Sequence, residues 1–143
     1  MGIMDSVNNA GGVITSLSYY PDEAIWDEQL HCHETLHLSM VLKGGNLEKR
    51  KTRDIECLPG IVTYYDAGEP HHSVLIMPGS RQFNVEITDE FLSAHGIPGN
   101  AGSLEKCNPA DLKFFMLRMY REFLINDQEP SLSITSALLP ILD

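Results

Sequence analysis

The sequence predicts a mainly β domain followed by helices, and two observations support this fold class. Between residues 13 and 87, short apolar segments alternate with turn residues about every ten positions, which is typical of a sandwich or barrel. After Ile87 the apolar spacing changes to three or four residues, which is typical of amphipathic helices. Five of the six histidines lie in two tight clusters, and crowded imidazoles favour a metal ion that uses their lone pairs.

The β segments are bounded by glycine and proline turns such as Gly44-Gly45 and Pro78-Gly79. We predict strands over residues 13–20, 37–43, 46–51, 60–65, 73–77 and 82–87.

Helices are predicted after residue 87. Thr88 opens a short helix that Gly96 ends, and Asn108 caps a longer helix that has Pro109 in its first turn. An apolar stripe on the longer helix comprises Leu112, Phe115, Met116, Met119 and Phe123. In one interpretation, this stripe is the surface that packs on the β domain. A second helix is predicted over residues 131–142, with a kink at Pro140.

The composition limits the class of protein. The 143 residues suit a single domain, and no apolar run approaches the ~20 residues of a membrane span. The net charge of −10 argues against binding of nucleic acid by this chain itself. The three cysteines include no C-x-x-C pair, which favours mostly buried, reduced thiols in the cytoplasm. The basic residues Lys49, Arg50, Lys51 and Arg53 are expected at a solvated hairpin tip.

The first histidine cluster contains His33-Glu34-x-x-His37, which matches the zinc-protease pattern. That chemistry requires a helix through His37, with Glu34 as the general base. The following residues, 38–45, read as a strand and a turn, so we reject this hypothesis.

A β interpretation brings the histidines together differently. On a strand, His31 and His33 point to one face and Cys32 points away. A straight strand at ~3.3 Å per residue would place His37 roughly 20 Å from His31, too far to share an ion. We therefore predict a turn at residues 34–36, with His71 as a fourth ligand from a neighbouring strand.

Both clusters resemble the two sequence motifs of the cupin superfamily. The first is His31-x-His33-x3-His37-x6-Gly44, with His37 where a glutamate is usual. The second is Gly60-x5-Asp66-x-Gly68-x-x-His71, with Asp66 where proline is usual. The resemblance implies a cupin-like, jelly-roll type β-barrel.

The stretches HCHETLHLSMVLKGG, RDIECLPGIVTYYDAGEPHHS and RQFNVEITDEFL resemble the N-terminal domain of AraC-type transcriptional regulators. LRMYREFLINDQEPSLSI resembles the helices that come after that barrel, so the likeness covers about residues 13–139. It implies a barrel over residues 13–87 and a C-terminal antiparallel helical pair within residues 88–143, ahead of a DNA-binding region absent from this chain.

The resemblance implies an effector-sensing and dimerisation domain with no catalytic residue. We expect a small-molecule effector at the barrel mouth, a homodimer through the C-terminal helices and no membrane partner. His31, His33, His37 and His71 are the candidate ligands for Zn²⁺, Ni²⁺ or Fe²⁺, with metal loss expected below about pH 6. Trp26, Tyr64 and Phe83, together with Tyr65, are expected to line the barrel interior and contact the effector.

Two alternatives remain open. The same histidines would suit a small metal-dependent cupin enzyme, such as a dioxygenase or isomerase. The chain would otherwise be a metal-free interaction module that works through its helices. Glu34 and Glu69 are candidates to orient the imidazoles, His72 is expected at the surface, and Cys57 and Cys107 in the core.

Overall fold

The computed structural model describes residues 3–50, 53–97, 102–105 and 107–125. Strands dominate up to residue 87 and helices follow, as the change in apolar spacing predicts. The strands are β1 (Ile3–Ala10), β2 (Val13–Tyr19), β3 (Ile25–Trp26), β4 (Leu36–Lys43), β5 (Asn46–Arg50), β6 (Asp54–Cys57), β7 (Val62–Tyr65), β8 (His71–Ile76) and β9 (Arg81–Ile87). The helices are α1 (Asp89–Ala94), α2 (Gly102–Glu105) and α3 (Pro109–Ile125).

The strands form two antiparallel sheets. The first sheet has the order β1-β2-β9-β4-β7, and the second has the order β3-β8-β5-β6. Tight turns at glycines in the left-handed region connect neighbouring segments, as at Gly44 with φ 76° between β4 and β5. Side chains from both sheets enclose a cavity between them. The expected β-barrel architecture is therefore confirmed.

Both faces of the first sheet are covered, and the two faces differ in polarity. On β4, Leu36, Leu38 and Met40 belong to the apolar core, whereas His37 and Ser39 face the cavity. The same alternation holds on β9, where Phe83, Val85 and Ile87 face the core and Gln82, Asn84 and Glu86 face the cavity. The apolar core thus lies between the first sheet and the helices, outside the barrel.

Helix α3 covers that outer face. Asn108 caps the helix, with the Ala110 backbone N–H donating to Asn108 Oδ1 at 2.9 Å. The stripe residues Leu112, Phe115, Met116 and Met119 are buried in the core, and Phe123 packs against it. The stripe therefore packs on the barrel, and any dimer contact through α3 would use its other face.

The shorter helix α1 also agrees with the sequence-based expectation. Thr88 Oγ1 accepts a hydrogen bond from the Phe91 backbone N–H at 3.3 Å, and His95 is the C-terminal cap. Gly96 has a φ of 65°, which ends the helix.

Strands β1, β3 and β6 and helix α2 were not predicted. The helix predicted over residues 131–142 lies outside the described residues, so α3 is the described member of the helical pair. Within the described segments, no helix is both long and apolar enough to cross a membrane.

Candidate metal centre

Backbone pairing brings the two histidine clusters together. His31 and His71 form an isolated antiparallel bridge, with N–H···O=C bonds of 3.0 and 2.9 Å in the two directions. The chain then bends at Glu34 and Thr35, and β4 begins at Leu36. The predicted turn is thus confirmed. The zinc-protease hypothesis is excluded, since His37 lies on a strand.

The four imidazoles predicted as ligands form one cluster. His33 is central to it: its ring lies 3.9 Å from that of His37, 5.0 Å from that of His71 and 5.5 Å from that of His31, between centroids. The rings of His31 and His71 are 4.4 Å apart.

Possible ligand atoms fall into two triads that share His33. One triad is His31, His33 and His71, and the other is His33, His37 and Glu86; within each, the ligand atoms lie within 4.8 Å of one another. Ligands of a tetrahedral zinc ion at ~2.1 Å lie about 3.4 Å apart, so the side chains would move inward to bind one. The cluster can therefore hold a metal ion.

Glu86 is a site residue that the sequence analysis missed. It pairs directly with His37 across β4 and β9, and its Oε1 lies 3.4 Å from His37 Nδ1. That contact is not aligned as a hydrogen bond, and His37 Nδ1 is buried without a partner. The signal was present in the alternation of Gln82, Asn84 and Glu86 with apolar residues.

Backbone carbonyls orient two of the rings. His31 Nδ1 lies 2.9 Å from the Gln29 carbonyl oxygen, and His71 Nδ1 lies 3.1 Å from the Glu69 carbonyl oxygen. A carbonyl only accepts, so each Nδ1 carries the proton and each Nε2 keeps its lone pair. Protein ligands to metals are commonly fixed in this way, and the donor set fits a divalent metal.

Burial keeps the central imidazoles neutral. Desolvation and then the neighbouring His37, His71 and His31 lower the pKa of His33 to about 3. Desolvation lowers the pKa of His71 to about 4, against the opposing effect of its bond to the Glu69 carbonyl. The pKa of Glu86 is lowered, first by its interaction with His37. At neutral pH His33 and His71 are thus neutral imidazoles, and Glu86 is a carboxylate.

A polar cavity of about 150 Å³ continues inward from the histidines. Its wall includes Glu48, which is 4% exposed and accepts a hydrogen bond from the Tyr65 hydroxyl. Burial raises the pKa of both Glu48 and Tyr65. The Tyr65 ring stacks on His71 at 4.0 Å, so this pair links the histidine cluster to the cavity.

Three of the four aromatic residues predicted to line the interior lie elsewhere. Trp26 is 68% exposed on the short edge strand β3. Phe83 is fully buried, but its side chain faces the core and contacts Tyr120 of α3 at 5.2 Å between centroids. Tyr64 packs against the same core. Tyr65, the fourth, lines the cavity as predicted, and strand alternation places Gln82 and Asn84 there in place of Phe83.

Several neighbouring residues also differ from expectation. Cys32 is exposed, whereas Cys57 is buried and lines the cavity. Glu69 orients His71 through its carbonyl, while its carboxylate pairs with Arg50. Arg50 is consequently not at a solvated tip, and its guanidinium lies 4.6 Å from the centre of the Tyr65 ring.

The sequence matches no protein-family model and no curated protein. The fold nevertheless matches solved structures, including a cupin superfamily protein from Desulfitobacterium hafniense DCB-2. That match has a TM-score of 0.50 and 16% identity, over 62% of this chain and 79% of that one. The chain has a cupin fold.

The cupin fold is shared with proteins of different kinds. A candidate mannose-6-phosphate isomerase from Ralstonia eutropha JMP134 matches with a TM-score of 0.53 and 13% identity, over 61% of this chain and 84% of that one. The AraC-like transcriptional activator CuxR matches with a TM-score of 0.63 and 15% identity, over 95% of this chain. This chain spans 54% of the length of CuxR.

Proposed function

We propose that this chain is the ligand-sensing domain of an AraC-like transcriptional regulator, with a divalent metal site at the cavity mouth. The proposal rests on how much of this chain each structural match covers. The similarity to CuxR covers 95% of the chain, whereas the similarity to the candidate isomerase covers 61%. Similarity that extends beyond the cupin portion therefore supports a regulator more than a free-standing cupin.

His33 would hold the metal, together either with His31 and His71 or with His37 and Glu86. When bound, a divalent ion would supply a fixed positive charge that can attract ligand oxygen atoms. The neutral imidazoles and the orphaned Nδ1 of His37 are the features that fit such an ion. Zn²⁺, Ni²⁺ and Fe²⁺ all accept imidazole ligands.

Strand β9 offers a physical route from the cavity to the helices. Gln82 and Asn84 line the cavity, while Phe83 between them contacts Tyr120 and Phe123 of α3, at 5.2 and 5.6 Å between ring centroids. A ligand that binds one position of β9 better than another would thereby favour one position of α3. The coupling would be reciprocal, so an attached DNA-binding region would alter ligand affinity equally.

The outer face of α3 is the proposed dimer surface. Phe114 is 71% exposed, Leu117 46% and Leu124 62%. These positions are spaced by three and seven residues, so they lie on one side of the helix. Burial of such a stripe against a second copy would remove apolar area from water.

The test is DNA binding by the full-length gene product. We expect the coding sequence to continue into a basic region of about a hundred residues with helix-turn-helix patterns. The cavity variant Asn84→Leu should change the response of operator binding to ligand, and Glu56→Gln on an exposed strand position should not. A coding sequence without a DNA-binding region would contradict the proposal.

A metal-dependent cupin enzyme is the second candidate. The observation that favours it is the buried Glu48–Tyr65 pair, which lies beside the histidine cluster within one cavity. Buried acid groups near a metal site can serve proton transfer. Metal-dependent turnover of a small molecule that is lost in Glu48→Gln would favour the enzyme over the sensor.

A further inference from the structure

Arg50 connects the two sheets beside the histidine cluster. It lies on β5 of the second sheet, directly opposite His71 of β8. Its side chain is 10% exposed and reaches β7, the edge strand of the first sheet, where Nη2 donates to the Tyr64 carbonyl oxygen at 2.6 Å. A guanidinium largely removed from water is costly unless its N–H groups are bonded, so these contacts fix where the side chain lies.

The same Nη2 atom also holds Glu69, in the loop between β7 and β8. It donates to Glu69 Oε2 in an ion pair, and Glu69 Oε1 accepts from the Asp66 backbone N–H at 3.4 Å. Both carboxylate oxygens are thus bonded. The backbone carbonyl of the same residue lies 3.1 Å from His71 Nδ1 and accepts its proton. The contacts of Arg50 therefore fix the carbonyl that orients His71.

Arg50 also contacts the ring on which His71 stacks. Its guanidinium lies 4.6 Å from the centre of the Tyr65 ring, and a cation over an aromatic ring is attracted to it. The rings of Tyr65 and His71 are 4.0 Å apart between centroids, with 19° between their planes. The hydrogen bond at Nδ1 and the stacked ring together restrict both the position and the rotation of the imidazole.

We propose that Arg50 is a positioning residue of the candidate metal centre. Through its ion pair with Glu69 it holds His71 as the Nδ1–H tautomer, which leaves the Nε2 lone pair available to an ion. This inference rests on the proposed function, because it names a residue that prepares the proposed site. His71 belongs to one of the two triads, so Arg50 supports that triad and not the one that contains Glu86.

The first experiment records the imidazole nitrogens of the EDTA-treated chain by long-range ¹H–¹⁵N NMR at pH 7. The signals of His71 are identified by their loss in His71→Asn. In the wild-type chain, Nδ1 should carry the proton. In Arg50→Met the signals should move toward the average of the two tautomers, because the acceptor of that proton is no longer fixed. A wild-type His71 protonated at Nε2, or unchanged signals in Arg50→Met, would overturn the proposal.

Two controls separate positioning from a general loss of structure. His31 is an internal control, because the Gln29 carbonyl holds its Nδ1, so its tautomer should stay unchanged in Arg50→Met. Arg81→Met removes an exposed arginine that also lies over a tyrosine ring, at 5.0 Å, and should leave His71 unchanged. Equal changes at both histidines in Arg50→Met would indicate a structural role alone and would contradict the proposal.

Glu69→Ala tests the same route at a more exposed position, and keeps the proposal testable if Arg50→Met does not fold. The variant removes the carboxylate, whose side chain is 32% exposed, and retains the backbone carbonyl. The His71 signals should again move toward the average of the two tautomers. Wild-type signals in Glu69→Ala would refute a route through this ion pair.

Zinc titration measures the effect on metal binding. Glu86→Gln removes the carboxylate of the other triad, so the zinc binding that remains depends on the triad that includes His71. Adding Arg50→Met to this variant should weaken binding about 10- to 100-fold, the range typical of residues that orient a ligand. Adding Arg81→Met should leave the affinity unchanged. Equal affinity with and without Arg50→Met would overturn the role of Arg50 at the metal centre.

The two readouts separate this inference from the metal proposal. Zn²⁺ binding by the wild-type chain, with an unchanged His71 tautomer in Arg50→Met, would keep the metal centre and overturn the role of Arg50. A changed tautomer in a chain that fails to bind Zn²⁺ would keep the orientation of His71 by Arg50 and contradict the metal centre. If Glu86→Gln alone binds no Zn²⁺, the NMR measurement decides.

Discussion

Glu86 faces His37 directly across strands β4 and β9, with 3.4 Å between Glu86 Oε1 and His37 Nδ1. The cupin resemblance leads one to expect a glutamate at position 37, and a histidine there removes a carboxylate from the cluster. Glu86, on the neighbouring strand β9, supplies a carboxylate to the cluster. The candidate metal centre thus combines four imidazoles with one carboxylate.

Single substitutions should show which triad holds the ion. If the ion lies in the His33–His37–Glu86 triad, Glu86→Gln should weaken Zn²⁺ binding at least tenfold, because a charged ligand is lost, and His31→Ala should have a smaller effect. The opposite ranking would assign the ion to His31, His33 and His71. Competitive titration with a chromophoric chelator measures both affinities. Full affinity in both variants would contradict a site in either triad.

The metal-free protein should lose stability in acid partly through His33 and His71. Their pKa values in the folded chain are about 3 and about 4, against 6.5 for an unperturbed histidine. Between pH 6.5 and those values the unfolded chain binds protons that the folded chain does not. The free energy of unfolding should therefore fall as pH decreases below about 6.5, and these contributions are fully present above that pH.

Urea unfolding in EDTA at pH 7 and pH 5 measures this effect. His33→Asn should reduce the slope of the free energy of unfolding against pH. The limit for one proton is about 1.4 kcal/mol per pH unit. The reduction should be smaller than this limit because solvent screens the half-exposed ring. His72→Asn on β8 is the matched control, since it removes a histidine that does not line the cavity. An unchanged slope in His33→Asn would refute the assigned pKa. Because these pKa values are lowered, we expect bound metal to be released at a pH lower than the value of about 6 predicted from the sequence.

The exposed face of α3 should control association. Phe114→Ser combined with Leu124→Ser removes two exposed apolar side chains from the proposed dimer surface, and should convert a dimer into a monomer. Sedimentation velocity measures the change, with Lys113→Ser as the control on the same helix. A double variant that sediments as the wild type does would contradict a dimer through this face.

The opposite face of α3 should control stability. Met116 is fully buried between the helix and the first sheet, so Met116→Ala should lower the free energy of unfolding by about 2–5 kcal/mol. Arg121→Ala on the exposed side should change it by less than about 0.5 kcal/mol. Urea denaturation measures both. A loss below 1 kcal/mol in Met116→Ala, roughly the low end for removing buried methylene groups, would indicate that the helix does not pack as described.

The sequence was sufficient for the arrangement of the histidines but not for the cavity wall. Bond lengths and strand rise required a bend before His37, and the bend lies at Glu34 and Thr35. Strand alternation predicts that Phe83 and Gln82 point to opposite faces of the sheet, but it does not predict which face lines the cavity. Aromatic residues were therefore expected inside, whereas the helices take up the apolar face of β9. Glu86 was missed for the same reason, because its position depends on the pairing of β4 with β9.

Edge elements were the least predictable. Trp26 lies on a strand of two residues, Ile25–Trp26, which is too short to show an apolar period. Its position is set by pairing with Leu75 of β8, a contact between residues distant in sequence. Such pairing depends on the assembled sheet and leaves little trace in the local sequence.

Zinc titration of the wild-type chain, His33→Ala and His72→Ala tests the central claim most directly, since His33 belongs to both triads. We predict one ion per wild-type chain, unchanged binding in His72→Ala and a loss of more than a hundredfold in His33→Ala. That loss would exceed the 10- to 100-fold effect typical of residues that only orient a ligand. Wild-type affinity in His33→Ala, or no stoichiometric binding by the wild-type chain, would contradict a metal centre at these histidines.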